Sequence, residues 1–290
     1  MGREYRRVVT ILLMCLVGMC LPAVSQSRPV AIVTDVQGRA VVQRGGQQVR
    51  VALLTEIADG EQIEVAQGTR LVVVLYWPGN EYVVNGFARV RFGVAALDSL
   101  AGTAPQRRDM PSDMRLNPSG LVQAGVQMRS VTRPTILTIQ PVGVRVLDML
   151  PEFRWQPLEG AREYEFSLSG EGGRTLFAAR TTEARISLPA TQPLVPAARY
   201  AWSVRANDAN GRELSGIAAF FTASEQLAID VKRLQPPDDA AVERWVAFAL
   251  WLRQERLHAE ADRVWRRVQA LRPEDTGVRL MLAPGESGAR

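Results

Sequence analysis

The sequence predicts a mainly β chain, with two β-rich modules followed by an α-helical hairpin. Three observations predict it. Residues 29–97 and 134–222 alternate short apolar runs with Gly, Asn and Asp turn signals, the pattern of antiparallel hairpins. Residues 98–133, between them, are rich in Gly, Pro, Ser, Gln and Arg and poor in large apolar groups. After Ser224 the apolar spacing lengthens from two to about 3.6 residues, the helical period. A chain of 290 residues with 47% hydrophobic content can support two or three domains with cores of their own.

The first 25 residues read as an export signal. Arg3, Arg6 and Arg7 form a positive head, Val8 to Leu21 is almost wholly apolar, and Ala23-Val24-Ser25 offers small residues for cleavage. The apolar run is shorter than the roughly 20 residues that span a bilayer as a helix, so cleavage is expected over retention as an anchor. Met19 is too large to precede a lipidated Cys20. Both cysteines, Cys15 and Cys20, lie in this segment, so residues 26–290 are expected to carry no thiol and no disulfide. The destination expected from such a signal is the periplasm. The formal net charge of +5 comes almost entirely from arginines interleaved with acids, which excludes a nucleic-acid footprint.

In the first module, Val30-Ala31-Ile32-Val33, Ala40-Val41-Val42 and Leu71 to Trp77 are the strand runs. Gln37-Gly38, Gly45-Gly46, Asp59-Gly60, Gln67-Gly68, Pro78-Gly79-Asn80 and Asn85-Gly86 divide them. Leu71-Val72-Val73-Val74-Leu75 is apolar on both faces and predicts a central strand covered on both sides. Four pieces in order resemble the FecR-like periplasmic domain: Val36 to Val42, Asp59 to Ile63, Gly68 to Val73, and Gly79 to Tyr82 leading to Gly86. The resemblance covers residues 29–97 and implies an all-β domain outside the inner membrane, engaged in protein contacts or signalling and without catalytic residues. Tyr76, Trp77 and Tyr82 flank one turn, where they suit a contact patch or half-buried packing at a hairpin end.

Residues 98–133 cannot bury enough apolar surface to offset their chain entropy and read as a flexible linker, with Leu121-Val122 and Val126 the one candidate extra strand. In the second module Phe153 and Trp155 alternate, as do Tyr164, Phe166 and Leu168, Ile186 and Leu188, and Tyr200, Trp202, Val204 and Ala206, with Phe220 closing the set. Short strands at this spacing predict a β-sandwich. Pro151-Glu152-Phe153-Arg154-Trp155 and Leu194-Val195-Pro196 leading to Tyr200 resemble fibronectin type III and related immunoglobulin-like modules. The resemblance implies a tyrosine corner at Tyr200 and core roles for Trp155 and Trp202.

Glu225 to Leu234 predicts one helix, and Pro236-Pro237-Asp238-Asp239 a break with Asp caps for the next. Within residues 242–275, Trp245, Phe248, Ala249, Leu252, Ala261, Trp265, Val268 and Pro273 resemble one tetratricopeptide repeat. Ala249 and Ala261 sit where paired helices approach closely. One repeat buries too little surface to stand alone, so the pair is expected to pack on the sandwich, on the preceding helix or on another chain. Residues 276–290 read as a disordered tail.

Reactive constellations are missing from the sequence. His258 is the only histidine and falls between the repeat helices, and no phosphate loop, dinucleotide fingerprint or nucleophile elbow occurs. Asp59, Glu61 and Glu64 read as a polar face, and Asn207 to Gly211, with one carboxylate and no distal glutamate, as a hairpin turn. Arg253, Arg256, Arg263, Arg266, Arg267 and Arg272 are interleaved with Glu255, Glu260 and Asp262 and read as a solvated face. The expectation is a non-enzymatic adaptor or scaffold for envelope proteins, with no cofactor, no metal and no nucleic acid. Two alternatives stand beside it. One is an envelope-signal regulator related to FecR anti-sigma regulators, although those keep a membrane span and a cytoplasmic segment that this sequence does not show. The other is a cell-wall polysaccharide binder using the aromatic residues Tyr76, Trp77 and Tyr82.

Overall fold

The computed structural model describes residues 28–118 and 135–282. The chain is mainly β, with 39% strand and 19% helix. The export-signal residues and the expected strand at Leu121-Val122 and Val126 lie outside the described residues.

The first module has ten strands: β1 (Pro29–Gln37), β2 (Ala40–Arg44), β3 (Gln47–Arg50), β4 (Glu56–Ala58), β5 (Gln62–Val65), β6 (Arg70–Leu75), β7 (Glu81–Asn85), β8 (Ala88–Phe92), β9 (Leu97–Gly102) and β10 (Gln106–Arg108). They form two five-stranded antiparallel sheets, β10-β7-β6-β1-β4 and β3-β2-β5-β8-β9. Alternation points Ala40, Val42, Ile63, Val65, Ala88, Val90 and Phe92 inward, against Val33, Leu71, Val73 and Leu75 of the facing sheet. The glycine of the β1–β2 turn is required. Gly38 has φ +112°, and a Cβ there would sit 2.4 Å from Thr69 Oγ1, which instead accepts a hydrogen bond from Arg39 N at 2.9 Å.

The module runs past the expected boundary at residue 97. Strands β9 and β10 belong to it, and Met114 and Leu116 are buried in the core that the helices share with its outer face, so the linker reading fails over residues 98–118. The physical reason is that β9 and β10 are exposed edge strands held by backbone pairing to β8 and β7. Such strands need no apolar residues, and their composition resembles that of a linker.

The second module contains β11 (Thr138–Gln140), β12 (Arg145–Val146), β13 (Glu152–Trp155), β14 (Tyr164–Ser169), β15 (Thr175–Thr181), β16 (Arg185–Ser187), β17 (Arg199–Asn207) and β18 (Glu213–Thr222). Its sheets are β11-β13-β16 and β12-β18-β17-β14-β15, with β12 and β18 parallel. Their facing sides enclose an aromatic core. Phe153 and Phe166 lie 4.9 Å apart between centroids, Trp155 stacks on Phe166 at 6.1 Å, and Trp202 meets Phe153 edge-on at 5.6 Å. Trp202 Nε1 donates to Pro141 O at 2.9 Å, which satisfies its buried polar atom.

Four helices follow: α1 (Glu225–Leu234), α2 (Val242–Gln254), α3 (His258–Leu271) and α4 (Thr276–Leu282). Ser224 Oγ caps α1 by accepting from Leu227 N at 3.1 Å. Asp238 and Asp239 do not cap α2, whose N-cap is Ala241. Asp238 pairs with Arg267 at 2.8 Å instead. The tail reading also fails at its start, because residues 276–282 are helical and Val278 is fully buried. Asp275 Oδ1 accepts from Gly277 N and Val278 N at 2.8 and 3.2 Å, and this cap nucleates α4.

The helical pair packs on the preceding helix, one of the supports the sequence reading offered, and on the first β module, which that reading did not name. Its core joins Trp245, Val246, Phe248, Leu252 and Trp265 to Ile32, Leu53 and Val74, with Val231 and Leu234 of α1 alongside. Strand β6 is therefore covered on both faces, and Leu71 to Leu75 are all fully buried. Gly277 is held so close to Leu53 O that an added Cβ would lie 2.8 Å away.

Candidate functional site

The seam between the first module and α2 concentrates the chain's buried charge. Asp35 on β1, Glu81 on β7 and Glu243 on α2 are each at most 2% exposed. A buried carboxylate persists only when it is paired or hydrogen-bonded. Asp35 is paired with Arg70 at 3.0 Å and Arg272 at 3.2 Å, and it accepts from the Gln37 amide at 2.9 Å. Arg70 also bridges to Glu243. Arg108 lies 3.7 Å from Glu81 and 4.0 Å from Glu243. Glu81 is the least satisfied member, because its Oε1 has no hydrogen-bond partner among the described residues. Burial pushes its carboxyl above the ordinary range and Glu243 adds to this, while Arg244, Arg108 and Arg70 oppose it.

This cluster ties strands to helices. It escaped the sequence reading because its members are distant in the chain.

The helical layer also holds the sandwich. Arg145 N donates to Arg256 O at 3.0 Å, and the Arg145 guanidinium donates to Glu255 O and Oε2, each at 3.0 Å.

Tyr76, Trp77 and Tyr82 do not form one patch. Tyr82 is buried, and Tyr76 turns inward to donate to Glu56 at 2.9 Å, its hydroxyl pKa raised by burial and by Glu56. Trp77 alone is open, 59% exposed, with the Arg115 guanidinium 5.8 Å from its ring. The hairpin separates these aromatics because successive side chains leave a strand on opposite faces.

Tyr200 Oη accepts from Val195 N at 2.8 Å. Trp245, Ala249, Leu252, Ala261 and Trp265 are buried between the helices, and Pro273 is exposed beyond α3. Arg267 covers the Trp245 ring at 4.1 Å.

Of the other arginines of the helices, Arg256, Arg263 and Arg266 are exposed, as a solvated face requires, whereas Arg253 and Arg272 are partly buried and engaged within the chain. Arg253 pairs with Asp262 at 2.8 Å, Arg263 with Glu260 at 2.8 Å, Arg272 with Asp35, and Arg266 donates to Asp262 O. Arg256 forms the α2–α3 turn with φ +62°. His258 opens α3 rather than lying in the turn, and is half-buried. Burial and then Arg253 lower its pKa.

Glu61 accepts from Arg44 at 2.7 Å and from Ala58 N at 2.9 Å, and Glu64 pairs with Arg89 at 2.9 Å. Asp208 Oδ1 closes its turn by accepting from Asn210 N and Arg212 N. Among the described residues no group of His, Cys, Asp or Glu is placed to hold a metal ion, and no helix is long and apolar enough to cross a membrane.

Fold and site together describe two mainly antiparallel β modules joined by a helical layer. No family model matches the sequence, and no curated protein matches it. Among solved structures, CopC from Methylosinus trichosporium OB3b is similar over 31% of this chain and 95% of its own, with 13% identity and a TM-score of 0.26. SGBP-B of the Bacteroides ovatus mixed-linkage glucan utilization locus, in complex with a mixed-linkage heptasaccharide, is similar over 63% of this chain, with 14% identity and a TM-score of 0.19. This chain spans 38% of that protein. Likenesses at these scores assign neither family nor activity.

Proposed function

We propose that this protein is a non-enzymatic adaptor of the periplasm, holding envelope proteins together through its two β modules. In this reading the first module is FecR-like, the second is fibronectin type III-like, and the helical pair is a single tetratricopeptide-like repeat. The observation that carries it is the helical layer, tied to one module through Asp35, Arg70 and Glu243 and to the other through Arg145 and Glu255. Two β surfaces are thereby held in a fixed relation, which a scaffold needs and an isolated binding module does not. The helices serve here as the internal joint rather than as the docking element, since α2 is buried along nearly its whole length against β1 and α3. Trp77, exposed and backed by Arg115, is the anchor the first module offers a partner.

The test is capture from envelope extract with residues 26–290 as bait. Two envelope proteins recovered together in stoichiometric amounts are expected. Trp77→Ala should lose one of them, and Arg145→Ala, which frees the sandwich from the joint, should lower recovery of the pair on the same bait. If no protein is recovered stoichiometrically, the adaptor reading is wrong.

A further inference from the structure

The first module has two outer sheet faces, and only one is covered. Helix α2 lies on the sheet containing β1 and β6, while the outer face of β3-β2-β5-β8-β9 stays open to solvent. With Ala40, Val42, Ile63, Val65, Val90 and Phe92 pointing into the core, the alternate residues must point outward.

The register lays those residues out in two rows. Arg50 faces Val41, which faces Glu64, which faces Arg89. One step along the same strands, Gln43 faces Gln48, and Gln62 faces Arg91, which faces Asp98. Arg39 precedes Val41 by two residues, so Arg39 and Arg50 bracket the half-buried Val41. These two arginines, Val41 and Gln48 line a shallow hollow of about 390 Å³.

The charges on this face do not balance. Four arginines meet two carboxylates, Glu64 and Asp98, and Glu64 is engaged by Arg89 at 2.9 Å. Arg39, Arg50 and Arg91 are exposed and have no carboxylate within 4.0 Å among the described residues. Adjacent strands lie about 4.8 Å apart, so Arg50 and Arg89, three strands apart, are separated by about 14 Å.

We propose that this face binds an anionic polysaccharide, one bearing carboxylate or phosphate groups. Planar guanidiniums match such groups in bidentate fashion. The Gln43, Gln48 and Gln62 amides donate to and accept from sugar hydroxyls between the charges. The two rows suit a polar polymer better than the other anionic partners. Neither row contains an aromatic or an exposed large apolar side chain; the exposed Phe87 stands just outside them, two residues before Arg89 on the same side of β8. This inference does not rest on the adaptor reading, since Arg39→Gln/Arg50→Gln leaves Trp77 and the Arg145 joint intact.

The experiment titrates residues 26–290 with polygalacturonate, with phosphorylated dextran and with plain dextran. Binding to at least one charged polymer and none to plain dextran is expected. Three free arginines give a slope of log K against log salt near −2, or about a 20-fold weakening from ~50 to ~200 mM salt. Arg39→Gln/Arg50→Gln should weaken binding at least tenfold and flatten that slope, with the thermal melting point unchanged. Arg162→Gln/Arg174→Gln, an equal charge change on the sandwich, should leave binding as it was. The proposal is overturned if neither charged polymer binds, if plain dextran binds equally, or if the two double variants behave alike. Binding confined to anionic phospholipid vesicles or to polyglutamate overturns it as well.

Discussion

Substituting Asp35 by asparagine and, separately, Glu243 by glutamine removes one negative charge each from the seam, yet the geometry predicts unequal outcomes. Asp35 accepts from Arg70, Arg272 and Gln37, and for Arg272 it is the one carboxylate within 4.0 Å among the described residues. Hydrogen bonds to charged groups contribute about 1.5–3 kcal/mol each. The Arg70 and Arg272 side chains are 28% and 30% exposed, so water recovers part of that. An asparagine also escapes the cost of desolvating a carboxylate. The net expected loss for Asp35→Asn is about 2 kcal/mol, after these offsets.

Glu243→Gln differs because Arg70 keeps Asp35 and Glu81 loses a like-charged neighbour. Its expected cost is under about 1 kcal/mol. Amide hydrogen exchange in α2 and α3 separates the two, since about 2 kcal/mol raises exchange through opening of the hairpin roughly 30-fold. A cost for Glu243→Gln equal to that of Asp35→Asn, or faster exchange confined to the sandwich, would refute this account of the seam.

Three further outcomes follow from particular contacts. Burial raises the Glu81 pKa in the folded chain above its ordinary value near 4.5, so the folded state binds this proton more tightly than the unfolded state. Ionised Glu81 therefore lowers stability above its folded pKa, and the penalty fades as pH falls through that value. Glu81→Gln should raise the urea midpoint at pH 7.5, and the gain should vanish below the ordinary carboxylate pKa. Tyr200→Phe leaves the Val195 N–H without its acceptor and should cost about 1–2 kcal/mol in urea unfolding of the sandwich. Deleting residues 242–282 uncovers Ile32 and Val74 on the first module, and light scattering should show self-association that the whole chain lacks.

The legible parts of this fold were those written in local periodicity. The alternation around Phe153, Trp155, Tyr200 and Trp202 places each of them in the sandwich core, and helix α1 has the limits Glu225 and Leu234 read from the sequence. Strands β9 and β10 were illegible because an edge strand is held by backbone bonds and its side chains are free to be polar. The aromatics at the β6–β7 turn were misjudged for a related reason: proximity in sequence does not decide which face a side chain takes. The seam could not be read at all, since Asp35, Arg70, Glu243 and Arg272 are spread along the whole chain and only the fold brings them together.

Two local signals did contain the long-range packing, though neither names its partner. The run Leu71 to Leu75, apolar on both faces, requires a second cover beyond its own domain core. A single helical repeat, rich in Trp245, Phe248 and Trp265, requires a surface to bury against. Each is an unmet demand when considered alone, and each is what the other lacks. The first and last described parts of the chain meet because the outer face of β1 and β6 offers Ile32 and Val74 where α2 offers Val246 and Phe248. The charges around that contact then make the choice specific. An apolar face alone would accept the helices in several orientations, whereas Asp35 and Glu243 are satisfied only where Arg70 reaches both.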